Sequence, residues 1–298
     1  MTDQPISRWA GIALLLLIAV VFGSNHVAAR IAFDHGTNVT TAVAFRSAGT
    51  ALFVLALLLL NGISLRIQKQ TLARSVLIGL LIAVQSYCLY SAVALIPVAL
   101  ALLAFQTFPM LLALISWTAG GERPSRRVLY AMPVALLGLA LALDVLGRSG
   151  DIAGRWAEVG AGVLWALGAS VSFATALYLI TRWLGGMDGR VRSFLFMSVV
   201  AVVTLFGGAL SNGFALPADG TGWIALALLT VFYGTAITST FVLLPRLGAV
   251  NNAAVLNFEP IAALGLGWAI LGQVVAPLQI LGAFIVVGAI AWMGAGKR

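Results

Sequence analysis

The sequence predicts an all-α integral membrane protein with ten transmembrane helices, arranged as two inverted five-helix repeats around a central cavity. Three observations lead to this fold class. Of the 298 residues, 61% are hydrophobic and only 9% are charged, whereas soluble domains are roughly 25% charged. The apolar residues form runs of about 20, the length at which a helix crosses a ~30 Å hydrocarbon core. Landmark residues of the first half recur in the second half at one fixed offset.

Short polar segments separate ten apolar runs, and each run is predicted to be one transmembrane helix. The predicted limits are 8–33, 40–61, 72–95, 97–118, 126–147, 156–183, 191–212, 221–244, 249–271 and 275–294. The first run follows MTDQPISRW, lacks a small-residue cleavage site and precedes nine further runs. We therefore expect it to be a retained helix and not a removed signal peptide.

The 17 basic residues outnumber the 9 acidic ones, and they follow the loops between the predicted helices. If the N-terminus is cytoplasmic, thirteen Lys and Arg residues lie inside, while only Arg30, Arg148 and Arg155 lie outside. The positive-inside rule therefore predicts that both termini are cytoplasmic. A distribution set by loops also argues against nucleic acid as the partner of these charges.

The two halves of the chain are related by a shift of 151 residues. This shift aligns Phe22 with Phe173, Asn61-Gly62 with Asn212-Gly213, Pro109 with Pro260, and Trp117 with Trp268. Five helices per copy is an odd number, so the second copy, residues 151–298, must enter the membrane upside down relative to residues 1–150. Inverted repeats with a binding site near the midplane are typical of secondary transporters.

The ninth predicted helix carries an acid at its centre, Glu259. Such a residue costs roughly 2.5 to 3.5 kcal/mol to insert, so it normally faces a protein interior or a wet cavity. Asn252 lies two turns earlier on the same face. Pro260 removes one backbone donor and favours a break in the helix. These features indicate one wall of a solvated pathway.

Arg46 lies within the second predicted helix, about six residues from its outer end. Its long side chain could reach the membrane interface. The alternatives are that its guanidinium binds a substrate carboxylate, or that it pairs with Glu259 or Asp144. The repeat places no charge at the equivalent positions, because Arg46 corresponds to Met197 and Glu259 to Phe108.

Polar and aromatic residues recur in four other predicted helices. Asn25 and His26 are adjacent in the first, and they fit either a hydrogen-bonded clamp between helices or the lining of the pathway. The other candidates are Gln85, Tyr87, Tyr90, Trp165, Tyr178, Tyr233 and Ser239. Aromatic rings suit the apolar part of a ligand, although a stripe of this kind also serves packing, and hydroxyls also bond to their own helix.

Three segments resemble the drug/metabolite transporter superfamily in its ten-helix, EamA-like branch: FGSNHVAARIAF, FQTFPMLLALISWTAGGE and LNFEPIAALGLGWAILGQ. Phe22 stands where many members have tryptophan, and Gln273 replaces a closing glutamate. The resemblance covers the full chain and implies ten helices, inverted repeats and a central cavity that exports metabolites. Through Trp165 and FATALYLITRW, the chain most resembles the aromatic amino acid exporters of the bacterial inner membrane, and the resemblance implies that location.

The sequence thus predicts a secondary transporter of small amphipathic metabolites, chiefly aromatic and other neutral amino acids, without covalent chemistry, cofactor or metal. Its partners are the substrate and the lipid bilayer, and the sequence leaves the oligomeric state open, with a monomer as one option. The alternatives are a drug, polyamine or nucleotide-sugar transporter of the same fold, a channel, or an intramembrane enzyme. The predicted pathway residues are Asn25, His26, Arg46, Gln85, Tyr87, Tyr90, Gln106, Trp165, Tyr178, Tyr233, Ser239, Asn252 and Glu259.

Overall fold

The computed structural model describes residues 8–120, 126–142, 152–247, 258–274 and 276–294. Eleven helices lie in these ranges: α1 Arg8–Asp34, α2 Val39–Leu60, α3 Lys69–Leu95, α4 Val98–Phe105, α5 Phe108–Thr118, α6 Arg126–Ala142, α7 Ile152–Trp183, α8 Gly189–Leu210, α9 Gly220–Leu247, α10 Glu259–Leu271 and α11 Pro277–Gly294. In this part of the chain seven segments are long and apolar enough to span a membrane, α4 and α5 counting as one, and three shorter helices are apolar. The all-helical membrane fold is confirmed.

The helix bounds repeat along the chain with the offset that the sequence predicts. Moving α2 by 151 residues gives 190–211, one residue from the observed Gly189–Leu210 of α8. In the same way α1, α3, α5 and α6 correspond to α7, α9, α10 and α11. Residues 249–256, which would match α4, lie outside the described residues, as do residues 143–151, where the two repeats are predicted to join.

Contacts between loops show that the second repeat is inverted. At one end of the bundle, the α1–α2 turn meets the α8–α9 loop, where His35 Nδ1 lies 2.7 Å from Asp219 Oδ2 and Asn38 Nδ2 donates to Gly213 O over 2.6 Å. At the other end, residues 63–71 and 183–191 line one groove of about 480 Å³. The start of α2 therefore lies beside the end of α8, and its end beside the start of α8, so these equivalent helices run in opposite directions.

A proline lies in the first turn of a helix in both halves, at the same position of the repeat. The fourth span breaks between α4 and α5, at Gln106 and Thr107, and Pro109 lies in the first turn of α5. Pro260 occupies the same place in α10. Carbonyl groups freed at such a break need other donors inside a membrane, and the Ser170 hydroxyl on α7 lies 2.8 Å from Phe105 O.

Helices α6 and α11 cross where small residues let their backbones touch. A side chain on Gly282 would overlap the backbone N of Ala142, and one on Gly138 would come within 2.9 Å of Gly282 O. Close crossings at small residues are the usual way in which membrane helices associate, because lipid provides little hydrophobic driving force between them. This crossing joins the last helix of one half to the last helix of the other.

Candidate functional site

Polar side chains from five helices of both halves meet in the interior of the bundle. We call this group the polar cluster; it consists of Asn25 and His26 on α1, Arg46 on α2, Ser86 and Tyr90 on α3, Tyr233 on α9 and Glu259 on α10. Polar groups at membrane depth normally face a protein interior or a wet cavity because lipid cannot satisfy them. Six of the seven members are predicted pathway residues. The exception is Ser86, whose position one turn before Tyr90 was the available sequence signal.

The acid of the polar cluster is paired with its histidine. His26 Nε2 lies 3.3 Å from Glu259 Oε1, with 6% and 25% of the two side chains exposed. Helices α1 and α10 approach closely there, because a side chain on Gly23 would meet the backbone N of Ala263. Glu259 is also the first residue of α10, where free N–H groups favour a negative charge. Glu259 therefore faces the interior and not lipid.

Arg46 is buried between two aromatic rings. Only 3% of the residue is exposed. Its guanidinium carbon lies 4.7 Å from the ring centroid of Tyr90 and 4.0 Å from that of Tyr233, and Nη2 donates to Ser86 Oγ over 2.8 Å. The side chain does not extend to the membrane interface, nor does it form a salt bridge with Glu259. Asp144, the other suggested partner, lies outside the described residues.

Tyr90 links the two charged parts of the polar cluster. Its hydroxyl donates to Asn25 Oδ1 over 2.9 Å, and neither residue is exposed to solvent. Its ring centroid lies 5.7 Å from that of His26. The same ring also contacts the Arg46 guanidinium. The hydrogen bond from Tyr90 to Asn25 joins α3 to α1, so it has the geometry of an interhelical clamp. The donor group of Asn25, Nδ2, has no hydrogen-bond partner among the described residues.

The repeat gives each residue of the polar cluster an equivalent residue in the other half, and these equivalents do not reproduce the cluster. In the order Asn25, His26, Arg46, Ser86, Tyr90, Tyr233 and Glu259, the equivalent residues are Ala176, Leu177, Met197, Ile237, Phe241, Ile82 and Phe108. All seven are apolar. Phe108 packs there against Phe105 and Phe173 with ring centroids 5.3 and 4.9 Å away. The inverted fold thus carries one polar site and one apolar counterpart.

Tyr87 and Trp165 form a separate aromatic pair. Their ring centroids are 6.2 Å apart, and each residue is 40% exposed. They line a groove of about 490 Å³ on the side of the bundle, between α3, α7 and α8. Tyr90 is wholly buried three residues further along α3. The structure therefore does not bring Tyr87 and Trp165 into contact with the polar cluster.

The remaining predicted residues lie around the polar cluster or away from it. Gln85 Oε1 lies 3.4 Å from Ser86 Oγ, at the margin of the cluster. Gln106 is buried at the break between α4 and α5. Tyr178 accepts a 2.6 Å hydrogen bond from Arg182 Nη1, and Ser239 is half-buried on α9. Asn252 lies outside the described residues.

Comparison with known proteins adds two findings to this geometry. The model of the EamA-like transporter family matches the chain twice, over residues 9–143 and 160–295. A protein known from a crystal structure is 20% identical, and the match covers 96% of this chain and 98% of that chain with a TM-score of 0.60. At this identity the likeness concerns the fold alone. No curated protein sequence matches significantly.

Proposed function

Because the chain belongs to the EamA-like transporter family, within the drug/metabolite transporter superfamily, we propose that it exports aromatic and other neutral amino acids. Export proceeds across the bacterial inner membrane by alternating access. In this mechanism the two inverted halves rock against each other around a fixed site and expose it to one side at a time. No covalent step is needed, because the protein only replaces the hydration of the substrate with its own hydrogen bonds.

The observation that carries the proposal is the composition of the polar cluster. The first half supplies α1, α2 and α3, and the second half supplies α9 and α10. A movement of one half against the other therefore changes the distances between these side chains. Burying them in a membrane costs free energy, and a transport function accounts for this cost because the same groups can bind a polar substrate.

In the proposed binding mode, the two ends of an amino acid meet different residues. The Glu259 carboxylate accepts the substrate ammonium group in exchange for part of its contact with His26, which lies 3.3 Å away. The rings of Tyr90 and Tyr233 belong to the polar cluster and offer flat walls to the apolar part of the substrate. Gln85 Oε1 lies 3.4 Å from Ser86 Oγ, at the margin of the polar cluster, and we assign Gln85 and the buried Gln106 to the route of the polar group.

The proposed orientation follows from the charges at the two ends of the bundle. The end formed by residues 63–71 and 183–191 carries Arg66 and, next to Asp188, Arg190. The opposite end, where His35 meets Asp219, carries fewer cations. The positive-inside rule assigns the first end to the cytoplasm. With α1 spanning the membrane once, the N-terminus then lies on this side too, as does the C-terminus.

Transport by the purified protein in liposomes tests this function. Uptake of labelled phenylalanine and tryptophan should saturate, and Glu259→Gln should reduce it at least tenfold, about the effect of losing 1.4 kcal/mol of binding free energy. Asp34→Asn is the matched control, because Asp34 is an exposed carboxylate paired with Arg30 at the end of α1. This control should transport like the wild type.

Three outcomes contradict the proposal in different ways. If phenylalanine and tryptophan stay outside while a polyamine, a nucleotide sugar or a cationic drug crosses, the assigned substrate is wrong although the protein is a transporter. Flux that rises without saturation and without exchange indicates a channel. Equal loss in Glu259→Gln and Asp34→Asn indicates that the polar cluster has no special role in transport.

A further inference from the structure

Among the residues that the structure describes, Arg46 is a buried cation that contacts no anion. The described groups around it are the Ser86 hydroxyl and the rings of Tyr90 and Tyr233, all of them uncharged. The nearest acid of the polar cluster, Glu259, is engaged with His26 and forms no salt bridge with Arg46. Cation–π contacts of this kind contribute roughly 0.5 to 2 kcal/mol each, which is less than the cost of a buried charge without a partner. The guanidinium is therefore placed to accept an anion.

Several hydrogen-bond donors around Arg46 also have no partner among the residues that the structure describes. They are Nε of Arg46 itself, the hydroxyls of Ser47 and Thr50, and Nδ2 of Asn25. Thr50 follows Arg46 by one turn of α2, so the two side chains share a face. Buried donors are nearly always satisfied in native proteins. This set has more donors than acceptors, as expected of a site whose ligand is an acceptor such as a carboxylate.

The fold itself does not require a cation at this position of the repeat. The equivalent residue of the second half is Met197, which is 4% exposed and packs with Phe196 and Val200 in an apolar core. Both residues lie on equivalent helices, α2 and α8, which pack against each other in the same bundle. Arg46 is therefore a departure from an apolar packing position, and its charge points to a ligand.

We propose that Arg46 binds the carboxylate of the transported substrate and that this contact separates amino acids from amines with the same ring. Two parallel N–H donors of a guanidinium match the two oxygens of a carboxylate, which a lysine ammonium cannot reproduce. The inference rests on the proposed function and extends it. Tyr90 contacts both Arg46 and His26, so the substrate carboxylate and ammonium would lie on either side of one ring.

The test compares two labelled substrates that differ only in the carboxylate: phenylalanine and phenethylamine. Sites built to hydrogen-bond a substrate group reject the analogue that lacks it strongly, so wild-type liposomes should transport phenylalanine ~100-fold or more faster than phenethylamine. Arg46→Met, which copies the residue of the other half, should bring this ratio close to one. Arg46→Lys keeps the charge but not the paired donors, and should give an intermediate ratio.

Arg74→Met is the matched control. Arg74 also lies over an aromatic ring, 5.5 Å from Trp183, but at the end of the bundle and away from the polar cluster. Arg74→Met should keep the wild-type substrate ratio.

Thermal unfolding reports folding separately. Arg46→Met should unfold at a temperature no lower than that of the wild type, because removing a buried unpaired charge does not destabilise the fold. Phenylalanine should raise the unfolding temperature of the wild type and not that of Arg46→Met.

The outcomes separate this inference from the function on which it rests. If the wild type transports phenylalanine, and both Arg46→Met and Arg46→Lys do so with an unchanged substrate ratio, Arg46 does not bind the carboxylate although the amino acid transporter stands. If the wild type transports neither compound, both proposals are wrong. If Arg46→Met fails to fold, Arg46→Lys alone decides, and a ratio equal to that of the wild type overturns the inference.

Discussion

Glu259 and Phe108 occupy the same position of the repeat, one residue before the proline that opens a helix in each half. Glu259 faces a histidine across 3.3 Å, whereas Phe108 faces the ring of Phe173 across 4.9 Å. Both copies have thus kept a proline that opens a helix, while the side chain before it has diverged. The free N–H groups at the start of a helix favour a negative charge, and of these two helices α10 alone carries an acid there.

The hydroxyl of Tyr90 gives the first prediction. Tyr90→Phe removes the hydroxyl that donates to Asn25 Oδ1. Asn25 is wholly buried, so this oxygen would be left without a donor. The free energy of unfolding should fall by about 0.6 kcal/mol, the average for a hydrogen bond between membrane helices, and at most by about 1.7 kcal/mol. Chemical or thermal unfolding in detergent measures this. Tyr87→Phe, on the exposed side of the same helix, is the control, and an equal loss in both variants would contradict the clamp.

The second prediction distinguishes the two aromatic sets. Tyr233→Leu removes a ring that lies 4.0 Å from the Arg46 guanidinium, so it should raise the KM for phenylalanine by at least about fivefold, equivalent to the ~1 kcal/mol of one cation–π contact. Trp165→Leu changes a residue in the lateral groove beside Tyr87 and should alter KM less. Concentration-dependent uptake in liposomes measures both. A larger effect at Trp165 would move the binding site to that groove.

The crossing of α6 and α11 gives the third prediction. Gly282→Ala places a methyl group against the backbone N of Ala142, which cannot move away as a flexible side chain could. The helices must separate, and we expect a loss of about 1 to 3 kcal/mol, as for other overpacked sites. Gly288→Ala is on the same helix with open space around it. It should leave the unfolding temperature unchanged or raise it, because alanine favours helix; equal effects would exclude the close crossing.

The fourth prediction concerns pH at the end of the bundle where His35 meets Asp219. The backbone N–H of Gly222, at 2.8 Å from Oδ1, and then His35 hold the pKa of the Asp219 carboxyl below its ordinary value. A carboxyl whose pKa is lower in the folded state stabilises the fold above its unfolded pKa, and this contribution is lost as pH falls through the folded pKa. The unfolding temperature should therefore drop below about pH 4.

Asp219→Asn is the control for that titration. Asparagine can still accept the Gly222 hydrogen bond as a helix cap, but it does not titrate in this range. The variant should lose the part of the acid sensitivity that Asp219 contributes, so its unfolding temperature should fall less between pH 5 and pH 3 than that of the wild type. Identical pH profiles of the two proteins would show that this carboxyl contributes nothing to the stability of the loops.

The sequence was sufficient for most of the fold. Apolar runs predicted the spans, and the offset of 151 predicted matching helix bounds. The fourth span is confirmed at Val98–Thr118, but it consists of two helices, because Pro109 has no backbone N–H to continue the hydrogen bonding of α4. The sequence pointed to this position through the repeat, since Pro109 matches Pro260.

The site was less predictable, because its contacts join helices that are far apart in the chain. Nothing local to Arg46 indicates that Tyr233, on α9, lies over its guanidinium. Tyr87 and Tyr90 are only three residues apart and looked equivalent, but packing of α3 against its neighbours buries one and leaves the other 40% exposed. Helical periodicity defines a stripe of residues; the neighbouring helices decide which edge of the stripe is inside.

The one-sided distribution of the polar cluster has a kinetic consequence. Two inverted copies with matching side chains would present identical chambers to the cytoplasm and to the outside, and the half-saturating concentrations on the two faces would be equal. Here the apolar counterparts, such as Met197 and Phe108, break that equivalence. The substrate gradient still determines the concentrations at which net transport stops, but the rate of transport toward this equilibrium differs between the two directions. An uncoupled carrier of this design therefore acts as a partial rectifier.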